Sequence, residues 1–502
     1  MIRSISVALL MVAACAAGDE PGSSVAREAV TTPASVPVWQ PLLNPAPFSA
    51  GVSLLLTDGT LMVQDFGTSN WWRLTPDQTG SYRNGTWSQR AAMPAGYAPL
   101  YFASAVLPDG RVIVEGGEYI NFTAVWSNLG AIYDPVADSW TAVAPPAGWT
   151  SIGDAQSVVL PSGTFMVANC CSLEQALFDA TTLSWTLTGA GKQDGNDEEG
   201  WALLQDGTVL TVDANNPANP TQAELYEPAT PRSPAMWVSA GNTPAVLADI
   251  NPDGSGSHEI GPMLTRNDGT VVAIGGTGHN AIYDPRQKTW SAADDFPVSP
   301  DGQLDSADGS MAQLPSGRML VVASPGVFKA PSHFFELAGT HLTEVAAPPG
   351  ADGRPSYVNN LLVLPTGEIL LTAFSSDIEL YTSASGGTAP PGVAPAIDQV
   401  PSTLSPGHTY TLGGRRLNGL SQGAAYGDDF QMATNYPLVK ITNQASGHVV
   451  FARTHNHSTM AIRNASSSTQ FDVPGGIEAG PSTLVVIANG NASAPVRVTI
   501  RR

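Results

Sequence analysis

The chain has 502 residues, 42% of them hydrophobic, which excludes a disordered polymer and leaves room for one large domain plus at least one smaller one. Only 13% are charged, and 50 glycines with 41 prolines suit short strands and tight turns better than helices, so a nearly all-β protein is expected. A net charge of -21 repels phosphate backbones and anionic lipid surfaces and concentrates cations, which argues against nucleic acid as a partner.

In chain order the first predicted element is a leader: Arg3, an apolar run from Ile5 to Ala14, then Cys15, the pattern of a secretion signal. Val12-Ala13-Ala14-Cys15 resembles the bacterial lipobox, in which Cys15 is acylated after cleavage and anchors the protein to a membrane surface. An ordinary signal peptide cut near Ala14 is the alternative. Asp19 lies past the position that commonly retains lipoproteins at the inner membrane, so an outer-membrane or cell-surface location is expected, with periplasmic or secreted as the alternative. Residues 1–15 are thus assigned to the leader and 16–36 to a flexible tether rich in Ser, Thr, Ala and Pro. No later segment is long and apolar enough to span a bilayer, so membrane contact is expected through the lipid anchor alone.

Next comes a unit seen seven times, an apolar strand, a tight turn and a second apolar strand, as in SAVLPDGRVIVEGG from Ser104 and NLLVLPTGEILLTAF from Asn360. The turn glycines (Gly59, Gly110, Gly163, Gly207, Gly269, Gly317 and Gly367) recur about every 50 residues, so the unit resembles the kelch repeat. Several copies continue with a Tyr or Phe strand and a Trp strand, for instance Tyr133 with Trp140 and Tyr283 with Trp290, aromatics expected to pack between sheets. A four-stranded unit cannot bury both faces alone, so a seven-bladed kelch-type β-propeller is predicted over 37–385. A Gly/Pro/Ala linker follows at 386–395, and short alternating strands over 396–502 predict a C-terminal immunoglobulin-like β-sandwich.

Segments that lead into the inner strands should converge on one rim around the axis. They carry Tyr101, Asp154, Asp194, Asp197, Glu198, Glu199, Asp301, Asp305, Asp308, Tyr357 and Asn359. Converging carboxylates need a cation, protons or basic partners, and calcium suits such oxygen ligands; solvated acidic loops are the alternative. His455 and His457 stand two apart, on one face if the segment is a strand, where they could bind zinc or copper, or where one contacts the propeller and the other faces water. Adjacent Cys170 and Cys171 are expected either as a vicinal disulfide or as buried thiols.

A propeller followed by such a sandwich resembles the galactose oxidase and glyoxal oxidase family of copper-radical enzymes over nearly the whole mature chain. Locally the resemblance is strongest from Leu100 to Trp140, LYFASAVLPDGRVIVEGGEYINFTAVWSNLGAIYDPVADSW. It implies copper held by two tyrosines and two histidines, and by that pattern Tyr101, Tyr357 and His455, or His457, would be ligands. Val358 stands where the family has a histidine, and Ser49 where it has the cysteine that cross-links a tyrosine. Two functions are therefore expected. One is an exported surface or periplasmic protein that binds a glycan, peptide or protein through a divalent cation on the acidic rim. The other is a copper-dependent oxidase of alcohols or aldehydes, or a degenerate relative. Hydrolytic or lyase chemistry on the rim carboxylates is a third class, without a specific residue pair.

Overall fold

Residues 38–384, 386–387, 389–430 and 432–501 are described in the computed structural model; the leader with Cys15, and the tether, lie outside the described residues. The hairpins fold as their turn chemistry dictates. Asp58 Oδ1 accepts a hydrogen bond from the Thr60 amide at 3.0 Å, and the same contact recurs from Asp206 to Thr208 and from Asp268 to Thr270. That side-chain bond closes the turn while the glycine takes a left-handed φ that a β-carbon would resist, 74° at Gly59 and 95° at Gly207.

Each hairpin runs outward into two more antiparallel strands. In the second sheet the order from the inside is Ala103–Val106, Val112–Glu115, Gly130–Asp134 and Ser139–Val143. Seven sheets of this plan occur among the described residues, and their inner strands are Ala50–Leu55, Ala103–Val106, Ser157–Val159, Ala202–Leu203, Met263–Thr265, Met311–Gln313 and Asn360–Val363. Strands covered on both faces carry continuous apolar runs rather than alternation, which is why LLL and VIV precede and follow the turns. The inner strand of the seventh sheet lies against that of the first. Trp39–Pro41 supplies the outer strand of the seventh sheet by pairing with Glu379–Tyr381, so the start of the described chain is stitched to the end of the ring.

The tryptophans lock neighbouring sheets. Trp140 Nε1 donates to Ala91 O at 3.0 Å and Trp185 to Ala144 O at 2.8 Å, each just past the outer strand of the preceding sheet, and Trp290 to Ala240 O at 3.1 Å, within that strand. Their rings pack on the expected tyrosines, with Tyr133 and Trp140 centroids 5.1 Å apart and Tyr283 and Trp290 5.0 Å apart. No α-helix occurs among the described residues, and the fold is an all-β kelch-type propeller with a C-terminal β-sandwich.

The sandwich begins at Ala396–Gln399 and closes on Leu412, Val439, Ile441, Phe471, Leu484, Val486 and Val498. One departure from the expected sandwich positions the functional site. Residues 418–430 and 432–437 leave the sandwich and thread the propeller axis, where Ala424–Ala425 pairs with Met311–Ala312 and gives the sixth sheet a fifth strand. Gln422 Oε1 accepts from the Leu203 amide at 2.8 Å, and Gly423 O accepts from the Gln313 amide at 2.7 Å, so the segment uses backbone groups that the inner edges of two sheets would otherwise leave unpaired.

Candidate functional site

In a propeller sheet the residues just before the inner strand emerge on one face and the turn just after it on the other, roughly 10–20 Å apart for strands of this length. On the first face the leading loops converge on a cavity of about 360 Å³. Tyr101 comes from the loop before the second inner strand, Asp154 before the third, Glu198 before the fourth, Glu259 before the fifth, Asp308 before the sixth and Tyr357 before the seventh. Glu118 and Tyr119 follow the second strand of sheet two, Phe328 comes from the sixth sheet, and the axial segment brings Asp428 and Asp429 up from below.

Four of these residues hold left-handed backbone conformations without being glycine: Tyr101 at φ 49°, Glu198 at 57°, Asp308 at 48° and Phe328 at 59°. Each costs about 1–3 kcal/mol and persists only where surrounding structure enforces it, a pattern that clusters at ligand sites. Close backbone approach is equally specific. A β-carbon on Gly200 would lie 2.4 Å from Gly427 O, and one on Gly427 would lie 2.6 Å from Asp308 Oδ1, so glycine at both places lets the axial segment seat against the ring.

Among the described residues seven carboxylates line this cavity and no lysine or arginine does. Asp154, Glu259 and Asp428 are 8%, 6% and 5% exposed, and Asp154 Oδ1, Glu259 Oε2, Asp308 Oδ1 and Asp428 Oδ2 are buried without a hydrogen-bond partner. Oxygens of Asp154, Glu198 and Asp428 lie within 4.8 Å of one another, as do those of Glu198, Glu259 and Asp308, so Glu198 belongs to both groups. Burial first, and mutual repulsion second, push Asp154, Glu198, Asp428 and Asp429 well above the usual carboxylate range. Burial also lifts Glu118 and Asp308, each to about 6. Charge of this density needs protons or a cation, and the four buried oxygens without hydrogen-bond partners all belong to residues that line this one cavity.

Of the residues expected on the rim, Tyr101, Tyr357, Asp154, Glu198 and Asp308 line the cavity. Asp197 does not; it lies beside His258, and its backbone oxygen accepts from Asn215. Glu199 turns away into a buried ion pair, because successive side chains of an extended segment point oppositely: Lys192 Nζ bonds Glu199 Oε1 and Glu224 Oε2, each at 2.7 Å. Asp194 accepts from the Asn215 amide, and Asp305 from the Ala307 amide, both outside the cavity. Asn359 braces the Tyr357 loop by donating to Ser332 Oγ at 2.8 Å and Pro355 O at 2.9 Å. Asp301 is exposed on the surface.

The two histidines are a correction. Their segment docks on the opposite face, against the turns that follow the inner strands: Thr454 N donates to Thr57 O, His457 N to Pro108 O and Met460 N to Pro161 O, at 3.1–3.2 Å. His455 Nε2 pairs with Asp472, and His457 bonds Thr469 Oγ1 through Nδ1. An inner strand's length therefore separates both from Tyr101 and Tyr357. The C-terminal segment that does reach the site is 424–430, and it brings aspartates. Cys170 and Cys171 are bonded to each other, and Cys170 packs under Gly153, where a β-carbon would lie 2.4 Å from its Sγ.

Glu118, Tyr119, Glu259, Phe328, Asp428 and Asp429 line the cavity without having been expected there from the sequence. Glu259 carries a usable signal, since it precedes Met263 by four residues as Glu198 precedes Ala202.

No family model matches the chain. A segment of 84 residues is 32% identical to the Kelch-like protein terF of Aspergillus terreus, covering 16% of this chain and 18% of that relative's length. Among solved structures, the fold is similar to a fungal alcohol oxidase of the AA5 family in complex with copper, with a TM-score of 0.53, 14% identity, and coverage of 92% of this chain and 99% of that one. Virginiamycin B lyase from Staphylococcus aureus is also similar, with a TM-score of 0.47, 9% identity, and coverage of 69% of this chain and 98% of that one. At these identities the likeness is one of fold.

Copper, which that oxidase contains, meets a donor set here that does not suit it. Carboxylates and phenols line the cavity, and no imidazole or thiolate does among the described residues, whereas imidazole and sulfur are the ligands copper favours. Burial, helped by Tyr357 and Asp308, also raises the Tyr101 hydroxyl well above its ordinary range, which opposes phenolate formation.

Proposed function

We propose that the axial cavity is a hard-cation centre, with calcium the best-suited ion, and that the protein is an exported binding propeller whose glycan, peptide or protein ligand completes the cation's coordination. The observation that carries this reading is the pair of oxygen groups sharing Glu198. Calcium takes six to eight oxygens at about 2.4 Å, so its ligand oxygens can stand up to ~4.8 Å apart, and the oxygens of each group lie within that limit. Magnesium keeps several of its waters and is rarely held by an all-protein cage, whereas calcium accepts many carboxylate oxygens. Lipid anchorage through Cys15 belongs to the same reading and is supported by the leader sequence.

Likeness of fold to a copper-containing oxidase, together with the meeting of Tyr101 and Tyr357 in one cavity, favours a copper-dependent oxidoreductase as the second reading. Metal analysis of protein stripped and then loaded with calcium or with copper separates the two. Stoichiometric calcium with a raised unfolding temperature and no peroxide release from alcohols or aldehydes supports the binding reading. One bound copper with oxygen-dependent peroxide release overturns it.

A further inference from the structure

The aspartates and glutamates of the oxygen groups occupy the floor of the cavity, and its mouth has a different character. Tyr101 and Tyr119 stand there with ring centroids 6.1 Å apart at 66°, and Phe328 and Tyr357 with centroids 5.5 Å apart at 86°. Two edge-to-face pairs on one cavity present ring faces in several directions, and each face carries the negative end of the ring quadrupole. Phe328 is 56% exposed and sits at φ 59°, so a large apolar ring is held in water on a backbone conformation that bulky residues resist. Glu118 lies among these rings. Its amide is fixed to Leu100 O and Tyr101 O at 3.0 Å each, and its carboxylate meets the Tyr119 hydroxyl.

We propose that this mouth binds the ammonium group of an amine-bearing ligand, with Glu118 as counter-charge and the rings of Tyr101, Tyr119, Tyr357 and Phe328 as the box around it. Ammonium groups are held by such faces within about 6 Å of the centroid, and desolvation strengthens the contact. Charge selects this class of ligand. Among the described residues seven carboxyl groups and no basic side chain line the cavity, so an anionic ligand finds no positive partner there while a cationic group meets oxygen acceptors. A neutral sugar could stack on the same rings but would bring no positive charge to the Glu118 carboxylate. A cavity of about 360 Å³ has room for both occupants, since a water molecule takes ~30 Å³.

The inference rests on the cation reading only in taking the floor carboxylates as occupied, and the two fail separately. Choline and its uncharged isostere 3,3-dimethyl-1-butanol are titrated calorimetrically into calcium-loaded protein, with calcium binding measured on the same samples. Choline should bind at least tenfold tighter than the isostere, Glu118→Gln and Phe328→Ala should each weaken choline about fivefold or more, and Phe328→Ala should shift calcium affinity less than twofold. Equal binding of the two probes, no binding of either, or choline binding unmoved by both substitutions overturns the ammonium site while leaving a measured calcium affinity standing. Choline binding that follows these rules in protein that takes up no calcium supports the ammonium site and sinks the cation reading alone.

Discussion

Asp428, on the C-terminal segment that threads the axis, holds a carboxylate oxygen within 4.8 Å of one on Glu198, on the loop that opens the fourth sheet. Neither residue makes the site alone. The propeller supplies a ring of strained, carboxylate-bearing loops, and the sandwich closes it from below, so cation affinity and docking of the axial segment are linked.

Neutralising either partner should therefore have two effects of opposite sign. Asp428→Asn and Glu198→Gln each remove a ligand and are expected to weaken calcium binding at least ~10-fold, equivalent to about 1.4 kcal/mol. The same changes relieve like-charge repulsion and should raise metal-free stability by about 1 kcal/mol. Calorimetry and urea unfolding without calcium measure the two.

Gly200→Ala tests the seating of the axial segment. The added methyl would lie 2.4 Å from Gly427 O, so the segment must shift, at a cost of about 1–3 kcal/mol and with loss of calcium affinity. Gly195→Ala, in the same loop with nothing within 4 Å of the new carbon, should leave both unchanged.

The Lys192 ammonium is the internal counter-ion for the loop that carries Glu198, and its side chain is 1% exposed. Lys192→Met strands Glu199 and Glu224 without their cation, and a cost of about 3–5 kcal/mol is expected. Unpaired buried carboxylates bind protons more tightly folded than unfolded, so the variant's stability falls as pH rises, and its deficit in urea unfolding should be larger at pH 8 than at pH 5.

His457 gives the opposite slope. Burial lowers it to about 3, against about 6.5 unfolded, so the unfolded chain takes up its proton first. Its contribution is complete above pH 6.5 and is lost as pH falls toward 3. Relative to His457→Asn, which keeps a polar atom near Nδ1, the parent protein should lose about 2 kcal/mol between pH 7 and pH 5. His455→Ala should leave metal affinity unaltered, since its ion pair with Asp472 lies across the propeller from the cavity.

Much of this is legible in the sequence because it is local or periodic. Asp-Gly turns and the Tyr and Trp strands repeat at fixed offsets, and repetition alone places the loops before the inner strands around one axis. The repeat pattern by itself therefore groups Tyr101, Asp154, Glu198, Asp308 and Tyr357 at a shared centre. What it does not disclose is which side of a loop faces inward: Glu198 and Glu199 are neighbours, and only packing against Lys192 tells them apart. Nor can it show which C-terminal segment enters the ring. The His455 strand and the Tyr426-Gly427-Asp428-Asp429 stretch are both polar inserts between apolar runs, and the choice between them is made by contacts distant in sequence, such as Ala425 against Met311.

Diffraction from crystals soaked in manganese(II), a hard ion whose anomalous signal marks its position, tests the central claim most directly. An anomalous peak is expected in the axial cavity, bounded by oxygens of Glu198 with Asp154 and Asp428, or of Glu198 with Glu259 and Asp308. A cavity without a peak, or a peak confined to His455 and His457 on the opposite face, would contradict it.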